Sequence, residues 1–254
     1  MSIRLCVLLL PLVAPLVAAA ADPPMAVPFG PGEELVYTID YGPVNAGEAA
    51  LRLVEVLESG GIDCYRVDNT IRSNRVFSAL YRVRDKAVSH FSTADLTSRY
   101  FAKRLREGDF SRNVQMRFDP AVGKVVYKDG REYEIPPDMR DVLSATYYLR
   151  TVDLQPDSLA HIAVHSSRKN YDVEIITHGR ETVEVPAGVF DCIVVEPIFM
   201  GEGLFQYEGK LTFWVSDDEY RIPVLIKTKV KVGAIEASLK SFTPGTPLTD
   251  GGGP

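Results

Sequence analysis

The chain has 254 residues, a formal net charge of −6, 46% hydrophobic residues and three cysteines. No basic cluster with interleaved aromatic residues runs along it, which excludes the usual nucleic-acid binders, and the apolar content is enough for one substantial buried core. The length admits one large β domain or two small ones, and with no Ser/Gly-rich linker or internal repeat a single domain is expected.

Met1 to Arg4 carries one positive charge, Leu5 to Val17 is apolar, and Ala18-Ala19-Ala20-Ala21 follows. That order reads as a secretory signal peptide over residues 1–21, because the apolar run is too short to span a membrane and is broken by Pro11 and Pro15. Cys6 lies deep in the leader and is not placed to carry a lipid. The expectation is a periplasmic protein, exported with cleavage near Ala21 and left with no stable membrane span.

From Phe29 the sequence reads as strands separated by turn residues. Pro31-Gly32 makes a corner into a strand at 36–41, and a turn from Gly42-Pro43 to Gly47 leads into 48–57. Strands are expected next at 64–73, 80–90, 98–107, 114–119 and 124–128. Val114, Met116 and Phe118 alternate with Gln115 and Arg117, the period of a half-buried strand. Asp129-Gly130, between VVYK and REYEI, is the strongest hairpin signal.

Residues 136–154, PPDMRDVLSATYYLRTVDL, carry the one long helical pattern. Asp138 is the expected N-cap, since its carboxylate can accept from the free amides of a first turn. Met139, Val142, Leu143, Thr146, Tyr147 and Arg150 recur at three- and four-residue spacing and define an inward stripe, with Arg140 off it. Tyr147-Tyr148-Leu149 widens the apolar surface, so the helix should be covered on more than one side, either as core filler or as the lining of a ligand cavity.

Strands resume at 160–165, 171–178, 181–185 and 189–198. The strands at 209–216 and 223–232 flank an acidic turn, Asp217-Asp218-Glu219, and 234–242 closes the domain. Lys227, Lys229 and Lys231 alternate with apolar residues and read as a solvated strand face. About a dozen strands joined by short turns make the expected fold mainly β: a curled antiparallel sheet, barrel or half-barrel, wrapped around one long helix. The domain should span 22–242, with 243–254 a disordered Pro/Gly tail.

Chemical signatures are few. His161 and His165 sit in HIAVH, which alternates as a strand and would hold them about 13 Å apart, too far to share a metal. HExxH, P-loop and GxSxG patterns are absent, and no motif asks for a metal or a cofactor. Asp217-Asp218 reads as local turn chemistry; Asp85, Asp138 and Asp141 are the carboxylates whose convergence would suggest glycan hydrolysis. Trp214 shares a strand face with Thr212 and Ser216, opposite Leu211, Phe213 and Val215, and is either a packing residue or the wall of a ligand groove. Phe199, Phe205 and Tyr207 around GEGLFQY form a candidate apolar flap beside it. Candidate ligand-binding residues are therefore Tyr147, Phe205 and Trp214. Cys64 and Cys192, the two cysteines beyond the leader, are either one disulfide or two buried free thiols.

FGPGEELVYTIDYGPVNAGEAAL, the YRVRD run, DMRDVLSATYYLR, VEVPAGVFDCIVVEP and LTFWVSDDEYRIPVLIKTKVKVGAIEASL, in that order, resemble the exported bacterial family known as domain of unknown function (DUF) 3108. The resemblance implies a secreted or periplasmic all-β domain and brings no catalytic residues with it. The β-rich layout and the FWVSDDEYRIPVLIK hairpin are also similar, more loosely, to the periplasmic lipoprotein carriers, whose curled sheet holds helices on its concave face. Those carriers have more helix than this sequence offers.

The function expected is binding or carrying of an apolar or amphipathic ligand, a lipid or a lipoprotein acyl chain. A structural or interaction module in envelope assembly, with its interior filled by its own side chains, is the first alternative. A hydrolase of envelope glycans is the second.

Overall fold

The computed structural model describes residues 25–155, 158, 160–200, 211–229 and 233–248. Its strands, in chain order, are β1 (Glu34–Tyr41), β2 (Val44–Glu58), β3 (Asp63–Ser73), β4 (Arg84–Ser92), β5 (Ser98–Glu107), β6 (Phe110–Asp119), β7 (Lys124–Tyr127) and β8 (Glu132–Glu134). After them come β9 (Ala160–Ser166), β10 (Lys169–Val185), β11 (Gly188–Met200), β12 (Leu211–Ser216), β13 (Pro223–Lys229) and β14 (Ala234–Thr243). Two short helices, α1 (Phe77–Leu80) and α2 (Val142–Leu149), interrupt them.

All fourteen strands belong to one antiparallel sheet in the order β8-β7-β6-β5-β4-β3-β2-β1-β14-β13-β12-β11-β10-β9. Each strand pairs with its neighbour in sequence, and β14 returns to pair with β1. The exception is β8 and β9, which are the two edges, so the sheet is an up-and-down meander cut at one place and not closed into a barrel. The chain crosses that cut through α2. Just before the helix, Arg140 N–H donates to the Ala163 carbonyl (3.0 Å) and His165 N–H to the Arg140 carbonyl (2.8 Å), while Ser98 N–H on β5 donates to the Met139 carbonyl (3.1 Å). Residues 139–140 thereby give the β9 edge main-chain partners that an open edge would lack.

The long helix expected over 136–154 is not formed; α2 has eight residues. Met139 and Arg140 are committed to extended main-chain bonds with β5 and β9 and cannot also be helical. The N-cap is Asp141, not Asp138: Asp141 Oδ1 accepts from Leu143 N–H (2.8 Å) and Ser144 N–H (3.2 Å), and the Ser144 hydroxyl returns to Asp141 N–H (3.1 Å). This reciprocal cap satisfies amides that would otherwise be buried without partners. The inward stripe is also narrower, with Leu143 and Tyr147 buried but Val142 37% exposed.

Most strands lie within a few residues of expectation. The expected strand at 80–90 starts only at Arg84, because Asn74 Oδ1 accepts from Phe77 N–H (2.8 Å) and turns the chain into α1. The two strands expected at 171–178 and 181–185 are one, β10, with a bulge between Thr177 and Gly179 where Gly179 takes a φ of 140°. Asp129-Gly130 makes the hairpin between β7 and β8, with Gly130 at φ 81°. The opening of the presumed tail is placed: Thr246 N–H donates to the Pro31 carbonyl (3.0 Å) and Leu248 packs on the core. Residues 1–21, Phe205, Tyr207 and Lys231 lie outside the described residues.

Inside the curl are two apolar clusters. The larger joins Phe29, Leu35, Leu53, Tyr65, Phe91 and Tyr147 to side chains from β5 to β8 and from β13 and β14. The smaller gathers Leu149, Leu154, Ile162, Val164, Tyr171, Val173, Ile175, Ile193, Val195 and Val215. Each side chain of this size stabilises the fold by about 1.5–3 kcal/mol when fully buried. Cys64 on β3 and Cys192 on β11 are buried free thiols, with β2, β1, β14, β13 and β12 between their strands in the sheet. Burial pushes Cys64 up to about 11 and Cys192 up to about 12.

Candidate functional site

Helix α2 has two apolar faces. Leu143 and Tyr147 share one and face the larger cluster. Val142, Ala145, Thr146 and Leu149, also at three- and four-residue spacing, share the other. That second face borders an open groove of about 200 Å³, whose opposite wall is Ile162 and Val164 of β9, Val173 and Ile175 of β10, Pro197 and Phe199 of β11, and Leu211 and Phe213 of β12. The wall is built by cross-strand pairs, Ile162 opposite Val173, Val173 opposite Phe199 and Ile175 opposite Pro197. Among the described residues of the lining Thr146 is the one polar side chain, and its hydroxyl already donates to the Val142 carbonyl (2.9 Å). The described lining offers a ligand apolar surface to bury.

Of the residues expected to bind ligand, Tyr147 is fully buried behind α2. Its ring lies 4.8 Å from that of Phe29 and 5.6 Å from that of Phe91, so the interior beside it is filled. Burial, and then the nearby Glu33 carboxylate, push its phenol far above the ordinary range. Trp214 is half-buried; its indole N–H donates to Glu181 Oε2 (2.8 Å) and Lys227 Nζ stands 5.4 Å from the ring centre. The groove takes Leu211 and Phe213 from the opposite face of β12, so Tyr147 and Trp214 do not meet in it. Phe199, from the expected flap, does line it. The alternation of Ile162 with Val164, and of Val173 with Ile175, was the signal that could have pointed to the wall.

Buried polar groups surround the helix. Arg150, just past its C-terminal end, pairs with Glu33. Asp141, wholly buried, takes the Ser89 and Ser98 hydroxyls on Oδ2 (2.6 Å each) in addition to its capping bonds. Burial raises its carboxyl above the ordinary value, against four hydrogen bonds that favour the charged form. His165, also buried, connects the two edges of the sheet. Asn170 Nδ2 donates to the Glu134 carbonyl (2.7 Å), leaving its Oδ1 to accept from His165 Nδ1 (2.6 Å). His165 Nε2 then accepts from the Tyr127 hydroxyl (2.9 Å), which itself accepts from Arg168 N–H (3.0 Å). Burial lowers the His165 pKa.

Among the described residues no group of three or more His, Cys, Asp or Glu side chains is placed to hold a metal. His161 bonds Asp172 instead (3.0 Å). Asp85, Asp138 and Asp141 do not form one cluster. Asp85 accepts from Arg106 N–H (2.8 Å) and neighbours Glu107, whose carboxyl is raised by burial and by Asp85, while Asp138 is exposed. No described helix is long and apolar enough to cross a membrane.

Among solved structures the chain is similar to a β-barrel-like protein of domain of unknown function DUF1849 from Brucella abortus, with 8% identity, a TM-score of 0.58, and 90% of this chain and 100% of that one covered. At that identity the likeness concerns the fold alone, and it agrees with a curled β-sheet. It is also similar to a DUF1089 family protein from Pseudomonas aeruginosa, with 13% identity, a TM-score of 0.41, and 71% and 89% covered. No curated protein matches the chain. Residues 36–240, most of the sequence, match the model of the family described as protein of unknown function (DUF3108), and the chain belongs to that family.

Proposed function

We infer that the protein is an exported binding or carrier protein for an apolar chain, held in the groove between α2 and β9–β12. The observation that carries this reading is the groove itself: an open cleft whose lining is apolar except for Thr146. Its size, about 200 Å³, is below the ~300–1,000 Å³ of pockets for drug-sized molecules. A single acyl chain end fits that better than a whole lipid. The leader at 1–21 supports an envelope location. Tyr147 supports the groove from behind by fixing α2, and Trp214, on the face of β12 opposite Phe213, packs against the larger cluster.

The interior packed around Tyr147 favours a second reading, an interaction module without a carried ligand. One experiment separates them. Native mass spectrometry of protein isolated from the cell envelope should show a lipid-sized adduct, and a fluorescent fatty acid should bind the delipidated protein. Ala145→Phe, which fills the groove, should abolish both while leaving the urea midpoint within about half a kcal/mol of wild type. No adduct and no fatty-acid uptake by the wild-type protein would leave the interaction module as the reading.

A further inference from the structure

Away from the groove, the end of the sheet formed by the β1–β2, β3–β4 and β5–β6 connections carries apolar side chains that none of the described residues covers. Val76 and Leu80, in and next to α1, are 82% and 87% exposed, and Tyr81 and Phe110 are 44% and 52% exposed. Isolated exposed apolar residues are ordinary, but these adjoin one another. Gly108 N–H donates to the Arg82 carbonyl (2.8 Å) and Val83 bridges Glu107, which holds the segment after α1 against the hairpin that carries Phe110. Asn74 N–H donates to the Ala46 carbonyl (2.8 Å) and ties the segment before α1 to β2. Behind this rim is a hollow of about 440 Å³ with Ile39, Ala46, Ile71, Phe77, Val83 and Ile235 in its walls.

Around the rim stand Arg72, Arg75, Arg82, Arg104, Arg106 and Arg112, all exposed. None of them makes a side-chain hydrogen bond or ion pair among the described residues. Of the described carboxylates nearby, Glu48 pairs with Lys240 and Asp85 is buried with Glu107 beside it, while Asp40, which accepts from Asn45, and Asp109 remain as counter-charges to six arginines. The acidic turn Asp217-Asp218-Glu219, between β12 and β13, lies at the other end of the antiparallel strands. In a chain of net charge −6, the described residues of this end are thus cationic and apolar. The sequence hides this because the arginines come from three separate segments.

We propose that this end docks on an anionic lipid bilayer, with Val76, Leu80, Tyr81 and Phe110 entering the boundary between headgroups and acyl chains and the arginines binding lipid phosphates. Guanidinium groups without carboxylate partners suit phosphate oxygens, and their attraction adds to that of a few inserted apolar residues. The apolar groups project singly from separate turns rather than forming a flat, packed patch. A fluid bilayer accepts such projections without a matched shape, which favours it over an acidic protein. The proposal does not depend on the groove binding a ligand.

Flotation of the leaderless chain with vesicles tests it. Vesicles of phosphatidylglycerol and phosphatidylethanolamine should bind at least tenfold better than vesicles of phosphatidylcholine, and high salt should reverse the binding. Arg75→Glu/Arg82→Glu/Arg106→Glu should weaken binding on the order of 100-fold, from the usual surface attraction per basic residue. Val76→Asp/Leu80→Asp should weaken it with every arginine in place. All these positions are exposed, so thermal midpoints should match wild type and a lost interaction would not be lost folding. Equal binding to both kinds of vesicle, or to neither, would overturn the proposal. Retention on a polyglutamate surface without vesicle binding would overturn it in favour of an acidic protein partner.

Discussion

Arg150 and Glu33, 117 residues apart, form a two-pronged ion pair at 2.7 and 2.8 Å with both side chains at most 2% exposed. Arg150 also donates to the Tyr220 carbonyl, from Nε at 3.2 Å and Nη2 at 2.9 Å, and its guanidinium lies 4.8 Å from the Phe29 ring centre. The pair therefore fixes the C-terminal end of α2 to the start of β1 and to the β12–β13 turn.

Breaking this pair from one side should be costly. Arg150→Met or Glu33→Leu leaves the other group buried and unpaired, and each should lower stability by about 3–5 kcal/mol. The double variant Glu33→Leu/Arg150→Met removes both groups, and its cost in urea melts should fall well below the sum of the two. Additive costs would show that the pair is not one coupled unit.

The seam between the sheet edges should respond to acid. His165 has its folded pKa lowered by burial, below the unfolded value of about 6.5. Between those two values the unfolded chain binds the extra proton, so stability rises with pH there and is lost as pH falls below about 6.5. One group contributes a slope of at most about 1.4 kcal/mol per pH unit. An imidazolium would also lose the lone pair that accepts from Tyr127. The nearby cation Arg168 pairs with Asp129 (2.7 Å) and gives no help to a second positive charge. His90, half-buried and also lowered, acts in the same direction. Melts across pH 5–7 should therefore show a shallower slope for His165→Gln than for wild type, and an unchanged slope would exclude His165 as the group responsible.

The strands were readable because alternation and turn chemistry are local: Val114–Met116–Phe118 and Asp129-Gly130 declare themselves within a few residues. The pairing of β1 with β14 was not, since periodicity says which face is buried but not which distant strand lies alongside. The helix was over-read because Met139 has the right spacing for a stripe, while its real main-chain partner, Ser98, is remote in sequence. Glu33, Arg140 and Asp141 look like surface charges in a linear reading, and Arg150, though on the expected inward stripe, had no visible partner. They are buried where hydrogen-bond partners from β4, β5 and the loops converge on them. Leu211 and Phe213 were correctly separated from Trp214, yet periodicity could not tell which face of β12 borders a groove.

Three residues at the start of α2 test the packing. Leu143 is 8% exposed within the larger cluster, so Leu143→Ala should cost about 2–5 kcal/mol through lost transfer energy and the cavity left behind. Val142, one residue earlier and 37% exposed at the groove, should cost under about 1 kcal/mol when cut to Ala. Arg140 falls off the helical stripe, which alone would make it expendable, but it is 5% exposed. It donates to the Asp138 carbonyl (2.7 Å) and the Asp95 carbonyl (3.1 Å), with its guanidinium 3.5 Å from the Tyr148 ring centre. Arg140→Ala removes hydrogen bonds from a charged donor and a stacked contact, and should cost about 2–4 kcal/mol. Urea midpoints should therefore rank Val142→Ala closest to wild type, with Arg140→Ala and Leu143→Ala well below it. If Arg140→Ala instead melts with Val142→Ala, the bridge from residues 139–140 to the β9 edge does not need the Arg140 side chain to hold it.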